Sequence, residues 1–114
     1  MQAMDAAKAL AEALRETPEY TEYARLKQEI NADEGIKSLV NEFKRLQTTV
    51  QMRAVTGQAP DSEETQRFQS LSMLLFADQR TSGYLMAEVR LQRLMAQIFE
   101  TLTRAVDMDI PLPV

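Results

Sequence analysis

The sequence predicts an all-α protein: four to five helices around a long antiparallel helical hairpin, in an elongated bundle. Three observations predict it. Turn-forming residues are few, with three glycines and four prolines. They fall at Pro18, Gly35, Gly57 with Pro60, Gly83, and Pro111 with Pro113, and the long stretches between them carry almost no turn chemistry. Ala, Leu, Glu, Gln, Arg and Met, the strong helix formers, dominate the composition. Apolar residues recur at helical spacing, and no strand-type runs of Val, Ile, Thr and Tyr occur.

The elements follow in order. Residues 2–16 place Ala3, Ala6, Ala7, Leu10 and Leu14 on one narrow face, opposite Asp5, Lys8, Glu12 and Arg15. Thr17 is a good N-cap, and Pro18 suits a first helical position because its missing N–H would be unpaired there. Residues 18–31 carry Tyr20, Tyr23, Ala24, Lys27 and Ile30 on one side. Asp33 caps a third helix over 34–56, whose first turn holds Glu34. Its stripe is the cleanest: Ile36, Leu39, Val40, Phe43, Leu46, Val50 and Ala54, with Glu42 and Arg45 on the polar side. Gly57–Pro60 is the tip of the hairpin. Asp61 with Glu64 has the spacing of a capping box, and Glu63 can pair with Arg67 four residues on. Asp78 to Gly83 reads as a polar break. The last helix, 81–106, carries two stripes: Tyr84, Ala87, Leu91, Leu94, Met95, Ile98, Leu102 and Ala105, beside Leu85, Val89, Phe99 and Val106. Glu100 and Arg104 stand at ion-pair spacing. One domain is expected over residues 1–109, with an extended tail over 110–114 because Pro111 and Pro113 cannot continue a helix.

Composition closes off most chemistry. The 114 residues contain no histidine, cysteine or tryptophan and carry a net charge of −4. Without Cys there is no disulfide framework, thiolate nucleophile or thiolate-held cluster. The carboxylates Glu12, Glu16, Glu19 and Glu22 crowd one helix junction, but a di-iron bundle needs Glu-x-x-His, so they read as a solvated acidic face. Ser38 beside Lys37 does not make a nucleophile–base pair, since neighbours on a helix point to different faces. The isolated glycines form no phosphate loop. We therefore expect no catalytic residue, no metal site and no cofactor. Arg90, Arg93 and Arg104 keep an RNA-associated role as the alternative, although Glu88 and Glu100 dilute them and no aromatic platform is interleaved. No apolar run is long enough to span a bilayer and no signal peptide is recognisable, so the expected location is the cytoplasm, with no membrane partner.

The feature with functional weight is an apolar surplus. Met73-Leu74-Leu75-Phe76 covers more than one helix face, and the last helix has its double stripe. A helix apolar nearly all round must be buried on several sides. A central core helix within the monomer is one way to bury them; because a short helical chain has few helices with which to cover both, a subunit interface is expected instead, formed by Leu74, Leu75, Phe76, Leu85, Val89 and Phe99. The expected partners are a second copy, as a homodimer, and an unidentified protein.

These residues also carry a resemblance. Ala11-Glu12-Ala13-Leu14, Thr17-Pro18-Glu19-Tyr20, Tyr23, Asp33, Leu39-Val40-Asn41-Glu42-Phe43, Leu46-Gln47, the Gly57–Pro60 loop and Tyr84-Leu85-Met86-Ala87-Glu88 together resemble the YlbF/YmcA/YheA family of small helical bacterial proteins. The similarity covers nearly the whole chain and is nearest to the cysteine-free YheA-like members. It implies an all-α, self-associating, non-enzymatic regulatory factor. Relatives are linked to competence, sporulation and biofilm formation, and modulate the endoribonuclease RNase Y in mRNA processing. Some relatives hold an iron–sulfur cluster on cysteines, a property that does not transfer to a chain without any.

Overall fold

In a computed structural model the described residues, 2–107, form five α-helices and no strand: α1 Gln2–Arg15, α2 Pro18–Asn31, α3 Glu34–Thr56, α4 Ser62–Ala77 and α5 Gln79–Ala105. The expected tail at 110–114 lies outside the described residues. Polar side chains start the helices where they were expected. The Thr17 hydroxyl accepts the Tyr20 amide at 3.2 Å and donates to the Leu14 carbonyl at 2.7 Å. Asp33 takes the Ile36 amide at 3.1 Å, and Asp61 the Glu64 amide at 3.0 Å. Each satisfies one of the amides that a helix start leaves without a partner.

Two compact units result: residues Lys27–Gly83 form one, and the described residues up to Leu26 together with the described residues from Tyr84 form the other. The first contains the hairpin. Gly57 ends α3 in the left-handed conformation at φ 75°, and the Gln58 amide returns to the Arg53 carbonyl at 2.9 Å. Glycine takes that φ without the penalty a Cβ would bring. The antiparallel α3 and α4 then bury Val40, Phe43 and Leu46 against Leu71 and Leu75. Phe43 stacks on Phe68 with centroids 5.2 Å apart and meets Phe76 edge-on at 6.3 Å. Both are arrangements the ring quadrupole favours.

Charged pairs line the hairpin differently from the expected local ones. Arg67 reaches Glu42 on α3 rather than Glu63 on its own helix. Glu64 turns from the capping box to Arg53, at 3.0 Å. In both cases a partner on the neighbouring helix replaces one along the same helix.

The break expected over Asp78–Gly83 narrows to Asp78 alone. Its carboxylate accepts the Arg80 amide at 2.8 Å and its carbonyl the Ser82 amide at 2.9 Å, which starts α5 at once. Thr81 is fully buried, and its hydroxyl donates to the Leu75 carbonyl at the end of α4. Gly83 lies inside α5. Glycine there costs about 1 kcal/mol relative to alanine, which the burial of Thr81, Tyr84, Leu85 and Ala87 around it offsets.

In the other unit, Tyr84 is buried and stacks on Tyr23 at 5.7 Å, and its hydroxyl donates to Glu88 at 3.2 Å. Burial, reinforced by the Glu88 charge and the Tyr23 contact, pushes the Tyr84 hydroxyl well above the ordinary tyrosine range. Burial stops soon afterwards. No residue from Glu88 to Ala105 is buried, and none in α1.

Candidate association surfaces

Of the six residues expected at an interface, two turn inward. Leu75 is 1% exposed and Leu85 6%. Leu75 follows Leu71 by four residues and shares its inward face, and Leu85 follows the buried Thr81 by four. Both belong to the interior of the chain, which corrects their expected outward position. Leu74 and Phe76 remain 54% and 46% exposed, and Val89 is exposed as well. Met73, which was not among the six, is the most exposed large apolar side chain of α4. Its position three residues before Phe76, off the Leu71–Leu75 face, was the available signal.

A second apolar surface lies in the other unit. α1 and α5 flank an open groove of about 260 Å³, lined by Ala7, Leu10, Ala11 and Leu14 on one wall and by Met95, Ile98, Phe99 and Leu102 on the other. One wall is built mainly of small residues and the other of large ones. Phe99 belongs to the expected set. Leu10, Met95 and Leu102 stand out as exposed; they lie on the apolar stripes read from the spacing but outside the six residues expected at an interface. The signal was the narrow, alanine-rich face of α1, too small to cover a row of bulky side chains.

The arginines occupy a different place. Arg90 and Arg93 line a cleft of about 420 Å³ together with Pro18, Glu19, Glu22, Leu94 and Gln97. A phosphate approaching the two guanidinium groups there meets two carboxylates as well. Arg104 is paired with Glu100 one turn earlier, as its spacing suggested. Among the described residues, no helix is long and apolar enough to cross a membrane.

The fold and the sequence have counterparts. A UPF0342 protein of Symbiobacterium thermophilum is 29% identical over 94% of this chain and 96% of its own length. One from Caldicellulosiruptor saccharolyticus is 30% identical over 91% of this chain and 87% of its own. A solved structure described as a protein of unknown function (DUF964) from Bacillus stearothermophilus aligns with a TM-score of 0.75 over 94% of both chains, at 14% identity, which is a likeness of fold. The family described as Control of competence regulator ComK, YlbF/YmcA matches residues 3–107, and the chain belongs to that family.

Proposed function

We propose that this protein is a non-enzymatic cytoplasmic regulator or scaffold. It works by self-association as a homodimer and by binding other proteins, in bacterial developmental control of the kind the family description names. The observation that carries this is the groove between α1 and α5. Two helical stretches border it, and neither buries a single side chain. Short helices gain most of their stability from packing an apolar face rather than from propensity, so these faces call for a partner.

A second copy fits for a geometric reason. Under a twofold axis the large wall of one groove, Met95 to Leu102, meets the small wall of the other, Ala7 and Ala11. Each copy then uses the same patch, as a closed dimer requires, and large side chains interdigitate with small ones. Area decides how much surface must join. At about 25 cal/mol per Å² and 1.5–3 kcal/mol per fully buried side chain, the six larger side chains of the groove, three exposed and three partly covered, supply at most on the order of 200–400 Å². A standard interface buries about 800 Å² per partner. The exposed face of α4, with Met73, Leu74 and Phe76, offers further apolar surface for a dimer or for a different protein.

Light scattering across a concentration series tests the proposal. The wild-type chain is expected at twice the 13.0 kDa chain mass, and Leu102→Glu is expected to halve that value while circular dichroism stays helical. A wild-type chain that is monomeric at every concentration refutes the proposal.

A further inference from the structure

All five methionines among the described residues, Met4, Met52, Met73, Met86 and Met95, are 47–77% exposed. Methionine is ordinarily among the more buried residue types. With no cysteine in the chain, these thioethers are the sulfur chemistry that the described residues present to solvent. One of them differs in its surroundings. Met95 lines the α1–α5 groove, facing a wall of Ala7, Leu10, Ala11 and Leu14, with Ile98, Phe99 and Leu102 on its own side. Every residue lining that groove is apolar.

We propose that Met95 is an oxidisable control site, whose conversion to the sulfoxide releases the partner from the groove. This rests on the self-association proposed above and adds its chemical regulation. The oxidant class is a peroxide. A sulfur lone pair attacks one peroxide oxygen, the S–O bond forms as the O–O bond breaks, and the departing oxygen takes the proton and leaves as water. Sulfur loses two electrons and the peroxide gains them. The product keeps the length of the side chain but carries a polar S–O group, and sulfoxide reductases reverse the change.

The groove makes this conversion consequential. In the open groove, water solvates the sulfoxide and the helices are undisturbed. When a second copy closes over it, the lining supplies only carbon. A polar group enclosed without a hydrogen-bond donor raises the dissociation constant roughly tenfold to a hundredfold. The cost falls on the associated state alone. Met52 provides an internal reference, since it is exposed on α3 outside the groove.

The experiment treats the full chain with hydrogen peroxide and maps sulfoxides by peptide mass spectrometry. Light scattering and circular dichroism follow the same samples. Met95 is expected to oxidise more slowly than Met52 where association is complete, and at a similar rate after dilution. The oxidised chain should keep its helicity, fall to half its mass, and recover after sulfoxide reductase treatment. Met95→Leu, which keeps the apolar volume without an oxidisable sulfur, should stay associated through the same treatment. A dimer that persists with Met95 fully converted, or a Met95→Leu chain that dissociates to the same extent, overturns the assignment while leaving self-association standing. A reduced wild-type chain that never associates overturns both.

Discussion

Arg67 holds both carboxylate oxygens of Glu42 across the α3–α4 hairpin, Nε to Oε2 at 2.8 Å and Nη2 to Oε1 at 2.7 Å. This forked geometry is the one guanidinium matches and lysine cannot. The bond to Arg67 holds the Glu42 carboxyl below the ordinary carboxylate range. A lowered folded-state value means that the contribution is complete above the unfolded value, roughly pH 4.3, and is lost as pH falls through the folded one. Thermal melts of the wild type and Glu42→Gln should therefore differ at neutral pH and converge in acid. A gap that stays constant down to acid pH would show that the pair contributes nothing through its charge.

Leu71 and Leu74 are three residues apart on α4 and should behave oppositely. Leu71 is 1% exposed, so Leu71→Ala should cost about 2–5 kcal/mol through lost burial and the cavity left behind. Leu74 is more than half exposed, and Leu74→Ala should change unfolding by much less. Urea titration of both variants measures the difference.

Thr81 has no exposed surface, and its hydroxyl donates to the Leu75 carbonyl. Thr81→Val keeps the shape and removes the donor. It should destabilise the chain by about 1–3 kcal/mol, because a buried carbonyl at the end of α4 loses its partner. Thr81→Ser, which retains the hydroxyl, should recover most of that loss in the same denaturant titration.

Tyr84 stays protonated in the folded chain well past the pH at which a free tyrosine ionises. Its raised value means that its contribution is complete below the unfolded value, about pH 10, and falls as pH rises further, because the unfolded chain releases the proton first. Stability should decline above that point in the wild type and less in Tyr84→Phe. Absorbance of tyrosinate should show one residue fewer titrating before the helices melt.

Local chemistry was legible in the sequence, and distant choices were not. The caps Thr17, Asp33 and Asp61 announce their helices because each acts on the amide three residues on. Gly57 marks the hairpin tip for the same reason. The Asp78–Gly83 stretch misleads, because the burial of Thr81 and Tyr84 overrides a weak local preference around Gly83. Leu74 and Leu75 are neighbours in one apolar run, and only the rotation of α4 against α3 decides which of them is hidden. Arg67 had Glu63 one turn away, yet Glu42 lies where two oxygens can be held at once. The apolar stripe of α1 was visible in its spacing. That it would be left uncovered was not, since periodicity shows which face is apolar but not whether anything lies over it.

Because no side chain of α1 is itself buried, lifting it away uncovers little fresh hydrocarbon. In the lone chain its amides can exchange with solvent for little more than the cost of end fraying, while those near Leu71 and Thr81 wait for a wider opening. Resistance to unfolding is thus graded along one short polypeptide. Its least guarded end is the one whose ordering a bound companion would repay with the largest gain in protection.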